Sequence, residues 1–212
     1  MKKIILIIAA VILISNYSNA QENKPDFHKM FQIGLKAGLN LSNVYDAQGQ
    51  DFVADPKIGF VAGVFVSVPV WRNFGVQPGL LFSQKGFRSN GTFLESNYRF
   101  TRTLNYIDMP LLASFKPFEL VTLVAGPQIS FLINQKDVFR SGSLTIEQEQ
   151  EFKNDNIRRN VLCFLAGFDI NIDNIVLGAR AGWDIQNNNG DGTSLNPRYK
   201  NVWYQATLGY RF

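Results

Sequence analysis

Phe31-Gln32-Ile33-Gly34-Leu35-Lys36-Ala37-Gly38-Leu39-Asn40-Leu41-Ser42 decides the fold. Every odd position in it is apolar, and every even one is polar or glycine. Successive side chains of an extended chain point to opposite faces. Strict period two over twelve residues therefore makes a strand with one dry and one wet face.

The alternation returns in seven further segments. Their apolar faces run from Ile58 to Val70, Val76 to Phe82, Ile107 to Phe115, Val121 to Phe131, Leu162 to Ile170, Ile175 to Ile185 and Val202 to Phe212. The opposite face has apolar exceptions at Val61, Phe65, Leu81, Val161, Leu165 and Trp203. Short turns fall around residues 71–74, 116–119 and 171–174. Longer polar stretches fall at about 44–56, 87–102, 132–157 and 186–201. Short turns at one end and long loops at the other describe an all-β, eight-stranded antiparallel up-and-down transmembrane β-barrel over residues 31–212. An even strand number puts both termini at the short-turn end.

Alternation alone does not say which face looks outward. Lys36, Lys85, Asp108, Asp169, Arg180, Asp184 and Arg211 all fall on the polar face, and no charge interrupts the apolar one. A charge facing the bilayer midplane costs roughly 2–4 kcal/mol, and an unpaired charge inside a dry soluble barrel is also expensive. A polar lumen that receives both signs avoids both costs. Ten glycines share that face (Gly34, Gly38, Gly59, Gly63, Gly79, Gly126, Gly167, Gly178, Gly182 and Gly209), as a narrow lumen filled by alternating small and large residues requires. Trp71, Phe74, Phe31, Trp183 and Phe212 sit near strand ends, where aromatic girdles belong. The expected lumenal network is structural: Arg180 with Asp169 and Asp184, plus Lys36 and Arg211. Cys163 is expected to be a small buried filler.

Lys2 and Lys3, the apolar run Ile4 to Ile14 and Ser18-Asn19-Ala20 read as a signal peptide over residues 1–20. A short periplasmic segment, 21–30, then precedes the barrel. The eleven apolar residues fall short of the roughly 20 that a spanning helix needs. Without the two lysines, 19 basic side chains face 17 acidic ones, with no clustered basic stripe for nucleic acid. With 46% hydrophobic and 13% aromatic residues among 212, disorder is excluded. A mean hydropathy of −0.05, with no mature apolar run of about 18 residues, excludes a helical membrane protein. One Cys and one His allow neither an internal disulfide nor a Cys/His metal cluster, and no cofactor is expected. His28 precedes the first strand, so no Ser/His/Asp arrangement can form near the long loops, and an enzyme is not expected. Asn187-Asn188-Asn189-Gly190-Asp191-Gly192 echoes a calcium loop but lacks the first acid, and Arg198 stands where a bidentate Glu belongs, so it reads as a loop tip. Glu147, Glu149 and Glu151 alternate along the longest loop, read as a solvated extension.

Leu208 and Tyr210-Arg211-Phe212 resemble the C-terminal signal that the barrel assembly machinery reads in bacterial outer-membrane barrels. Ile33 to Ser42 resembles the opening strand of the PorT-like outer-membrane β-barrel family of Bacteroidota. Val76 to Gly86 resembles its third strand, with Gly79 where an acid is usual, and Tyr106 to Leu112 its fourth. Ala125-Gly126-Pro127 is similar to its fifth, and Gly178 to Gly182 to the late strand with an inward arginine, although Ala181 replaces the usual aromatic. The resemblance implies residence in outer-membrane lipid with both termini periplasmic. It implies little about activity, the name deriving from a member linked to protein secretion. The expected role is structural or interactive, supporting secretion or the envelope, with an unidentified protein or ligand at the extracellular loops. The alternatives are a narrow channel for ions or small solutes and a soluble periplasmic ligand-binding barrel.

Overall fold

The computed structural model describes residues 31–46, 54–93, 96–141, 144–150, 159–186 and 199–212. The signal peptide, the 21–30 segment with His28, Glu151, and Asn187 to Gly192 with Arg198 lie outside them. Nine strands follow in order: β1 (Gln32–Asp46), β2 (Asp55–Pro69), β3 (Phe74–Phe93), β4 (Ser96–Phe118), β5 (Val121–Ser141), β6 (Leu144–Gln150), β7 (Asn160–Ile172), β8 (Ile175–Asp184) and β9 (Tyr199–Arg211).

Eight of them close a ring, β1-β2-β3-β4-β5-β7-β8-β9, with β9 paired back to β1 from Gly34↔Arg211 to Asp46↔Tyr199. All pairings are antiparallel. Strand β6 is an excursion that folds back onto the far half of β5. The turns at Trp71 to Asn73, Glu119-Leu120 and Asp173-Asn174 lie at the same end as Phe212, whose N–H donates to the Ile33 carbonyl at 2.9 Å. This is the turn end; the opposite one is the loop end.

The barrel is inside out relative to a soluble protein. Leu39 is 57% exposed, whereas Lys36 in the same strand is 7% exposed. Leu35, Ile58, Leu80, Leu111, Leu123, Leu177 and Leu208 are likewise exposed. A soluble barrel would turn these residues inward, so that alternative is overturned. Five of the six apolar exceptions on the polar face (Val61, Phe65, Leu81, Val161 and Leu165) are 1–2% exposed, and Trp203 is fully buried. They are lumen core.

The strands run longer than the alternation announced. A membrane strand needs roughly 9–11 residues, yet β3 has 20 and β4 has 23. The stretches 87–102 and 132–157, expected to be loops, are largely strand: β3 pairs with β4 without interruption from Leu81↔Asp108 to Phe93↔Ser96. On β5 the partners step from Tyr106↔Leu132 to Asn105↔Asn134, leaving Ile133 as a bulge. One extra residue reverses which parity faces inward. Gln128 and Ser130 are buried below the bulge, and Gln135 is buried above it. Two strands away on β3, Gly86 adopts φ +144°, which suits a residue without Cβ. Its N–H donates to Ser42 Oγ at 2.9 Å.

Beyond the bulge the polarity of the wall inverts. One face carries the directly paired rows Phe87, Arg102, Asp137 and Ser89, Phe100, Phe139, Ile146. The other carries Asn90, Arg99, Arg140 and Thr145, all exposed. Because the aromatic rows share parity with inward Leu104 and Tyr106 on β4, they face the barrel axis. An outer surface of arginines and asparagine belongs in water, so the bilayer ends at the inversion.

Candidate functional site

The inward side chains form three levels. At the turn end, Arg180 Nη2 donates to both Asp169 oxygens, at 2.9 and 3.1 Å, and to Gln77 Oε1 at 3.2 Å. Gln77 Nε2 donates to Asp169 Oδ2 at 3.4 Å. Arg211 donates to Gln32 Oε1 at 3.3 Å and to Asn171 Oδ1 at 2.9 Å. Lys36 Nζ lies 5.1 Å from the centroid of the Phe65 ring. The ring itself lies over Gly34, where a Cβ would come within 2.5 Å of it.

The middle level is built around Lys85. Its ammonium lies 3.1 Å from Asp108 Oδ2 and donates to Ser130 Oγ at 3.3 Å. It also sits 3.8 Å from the Trp203 ring centroid and 4.9 Å from that of Tyr106. A cation against two aromatic faces in a water-poor site gains about 2 kcal/mol or more from the rings. Asp184 accepts from the Asn201 N–H at 2.9 Å, from Asn201 Nδ2 at 2.6 Å and from Cys163 Sγ at 3.1 Å. Leu112, Val124, Val161, Cys163, Leu165 and Trp203 pack into one buried apolar cluster at this level. Gly182 leaves the Trp203 indole its place, since a Cβ there would overlap the ring.

The network expected around Arg180 is therefore divided. Asp169 pairs with Arg180 as expected. Asp184 does not pair with it: Arg180 turns to Asp169 and Gln77, and Asp184 is held by Asn201 instead. Lys36 and Arg211 are buried nearby but form no ion pair with these carboxylates among the described residues. Lys85–Asp108, spanning β3 and β4, is a second pair on a separate level.

The loop-end level lies beyond the bilayer. Arg102 clamps Asp137 with Nε–Oδ1 at 2.9 Å and Nη2–Oδ2 at 2.7 Å, and donates to the Tyr199 hydroxyl at 3.2 Å. Such a fork-to-carboxylate pair fixes orientation as well as energy. Burial raises the Tyr199 phenol above its ordinary value, against the pull of Arg102. Val44, Phe87 and Tyr199 are buried together, with Phe100 against them. Above this floor stand Tyr98 and Phe139, stacked at 5.7 Å, and Ile146, 54% exposed. This aromatic cup was missed at the level of sequence. Its signal was the short alternation Phe87-Arg88-Ser89 against Tyr98-Arg99-Phe100, hidden among turn-forming residues.

The girdle residues are where alternation placed them: Trp71, Phe74, Phe31 and Phe212 are exposed at the turn end, and Trp183 is exposed toward the loop end, beside Phe164 at 5.2 Å. Leu208, Tyr210 and Phe212 all point outward from β9, the last two rings 5.2 Å apart.

Among solved structures, the chain is similar to Ail, the attachment invasion locus protein of Yersinia pestis, at 17% identity, covering 85% of this chain and 98% of that one with a TM-score of 0.46. It is similar to the N-terminal β-barrel domain of Pseudomonas aeruginosa OprF at 9% identity, covering 86% and 100% with a TM-score of 0.43. It is also similar to the outer membrane protease OmpT of Escherichia coli at 10% identity, covering 87% and 94% with a TM-score of 0.41. A comparison with curated proteins found no match. The model of one protein family matches residues 19–188, most of the chain, and on that match the protein belongs to the outer membrane protein beta-barrel domain family.

Proposed function

We propose that this protein is a non-conducting, non-enzymatic outer-membrane barrel whose filled body anchors a binding surface at the loop end. The observation that carries the reading is the inversion of the wall beyond Ile133: Tyr98 and Phe100 keep the inward parity of β4, and the bulge brings Phe139, with its neighbour Ile146, to the same face above a buried floor. Aromatic side chains held on rigid strands supply large contact area at low entropic cost. In this reading the cup faces the cell exterior, residues 1–20 direct export, both termini are periplasmic, and Leu208, Tyr210 and Phe212 present the assembly signal. The PorT-like resemblance supports a role in the envelope or in protein secretion, and in this reading a protein partner or ligand docks at the rim.

A photo-crosslinking side chain at Ile146 or Tyr98 in intact cells should trap one discrete adduct, and the same group at outward Arg140 should not. Equal labelling at all three positions, or none, would refute a directed cup. The filled middle level supports a silent lumen in planar bilayers; stepwise single-channel currents would favour the narrow-channel alternative.

A further inference from the structure

On the lipid side of the wall, the outward faces of β7, β8, β9 and β1 form a groove of about 600 Å³. Its floor is four alanines in two cross-strand pairs, Ala179 with Ala206 and Ala166 with Ala181. Large exposed side chains stand around it: Phe168 lies opposite Ala179, Leu39 opposite Ala206 and Tyr204 opposite Ala181. The relief is written in the sequence, because an alanine ends at Cβ where its Phe, Leu or Tyr neighbour reaches well beyond.

Depth decides the occupant. Outward on β9 stand Tyr210, Leu208, Ala206, Tyr204, Val202 and Lys200, so the floor lies midway along the apolar band. Water does not solvate the wall at that depth. A groove left unfilled there forfeits the dispersion contacts of its lining, and close packing against small residues is what favours association inside a bilayer. The polar end of the occupant is marked too. Lys200 is the first charge on this face of β9, level with Tyr45 on β1, and no carboxylate pairs with it among the described residues. From Ala206 to Lys200 is six residues, roughly 20 Å of strand. At a tilt of about 45° that covers about 14 Å of depth, close to half of a hydrocarbon core about 30 Å thick. One acyl chain has this reach, from headgroup to midplane. We infer that the groove holds one acyl chain of a membrane lipid from the loop-end leaflet, with the lipid phosphate at Lys200. A headgroup of net negative charge is favoured there, since the lysine has no carboxylate to neutralise it.

Native mass spectrometry tests the site. The folded barrel is reconstituted in vesicles of equal parts phosphatidylglycerol and phosphatidylcholine, extracted into mild detergent and weighed. The wild type should retain one lipid, with phosphatidylglycerol preferred. Ala179→Leu with Ala206→Leu, which fills the floor, should lose it, whereas Ala113→Leu on the opposite wall should keep it. Lys200→Gln should keep a lipid but lose the preference. If the double variant does not fold, Ala179→Leu alone takes its place. A wild type that retains no lipid, or a filled variant that retains as much as the wild type, would overturn the proposal. So would a wild-type dimer that the filled variant loses, which would assign the groove to a second copy of the chain. Equal retention of the two lipids by the wild type would overturn the headgroup contact at Lys200.

Discussion

Replacing Asp108 by Asn keeps the shape of the middle level and removes one charge, so it isolates the worth of the Lys85 pair. Both partners are 1% exposed. Breaking one side of a buried pair costs roughly 3–5 kcal/mol, because the other charge stays behind without compensation. Here Lys85 keeps the Ser130 hydroxyl at 3.3 Å and the rings of Trp203 and Tyr106. The loss should therefore fall near the lower limit, about 3 kcal/mol. With a urea dependence of roughly 1–3 kcal/mol per molar, the midpoint falls by about 1–3 M. The assay is urea unfolding of the barrel in phospholipid vesicles, followed by heat-modifiable gel mobility and by tryptophan fluorescence; Trp203 lies against Lys85 and reports the local event. The double substitution Lys85→Met, Asp108→Leu should restore most of the stability, since an apolar replacement of a buried ion pair is commonly near neutral. The reasoning fails if Asp108→Asn leaves the unfolding free energy within about 0.5 kcal/mol of wild type, or if the double variant is no more stable than the single one.

Arg180→Ala should lower the same midpoint by about 3 kcal/mol or more, leaving Asp169 with the long Gln77 contact; an unchanged midpoint would remove the turn-end network. Leu39→Arg, near the middle of the outward row of β1, should cost roughly 2–4 kcal/mol in vesicles, and a neutral result would mean that this side chain does not meet lipid. Gly182→Leu should displace the Trp203 indole and cost about 1–3 kcal/mol from overpacking, read as a lowered urea midpoint together with a shifted Trp203 emission. Phe212→Ala should reduce the amount of folded barrel in cells while leaving refolding into vesicles intact; equal losses in both would assign Phe212 to stability rather than to assembly.

Strand positions and facing were legible because a twelve-residue alternation admits few other structures. The charges then chose the lumen over the lipid, and Lys36, Lys85, Asp108, Asp169, Arg180, Asp184 and Arg211 are all buried as that choice required. Partnership among them was not legible. Arg180 and Asp184 share a strand and a face, but Arg180 turns to Asp169 on β7 and Asp184 to Asn201 on β9. Lys85 and Asp108 sit on neighbouring strands, and only the β3–β4 register, which offsets them by four residues, brings them together. The extended wall was hidden for another reason. Above the bilayer both faces of a strand contain polar residues, so Ser89, Asn90, Gly91 and Asn97 read as turn formers. Their strand character comes from tertiary pairing, not from local preference.

The exceptions to the alternation carry the functional argument. A lumen lined only with polar groups would hold water along its length and could conduct. Here Val61, Phe65, Leu81, Val161, Leu165 and Trp203 break the pattern and fill the interior, with Phe65 beside Lys36 and Trp203 against Lys85. In the proposed reading this filling leaves recognition to an end of the barrel. The turn end offers short connections and little surface. At the loop end the Ile133 bulge switches the parity of β5, so that Asp137 and Phe139 meet Arg102 and Phe100 on the axis side. Were Ile133 to take a regular place in the ladder instead of bulging, the far half of β5 would present Lys136, Val138 and Arg140 to the axis, leaving Arg102 without its carboxylate. A single insertion thus separates the lipid-facing barrel below from the axis-facing aromatic cup above. Deleting Ile133 should therefore make the ladder continuous and keep Asp137 opposite Arg102 and Phe139 opposite Phe100, whereas one residue added after Gln135 should turn both away and disorganise the cup while the eight-stranded body still folds.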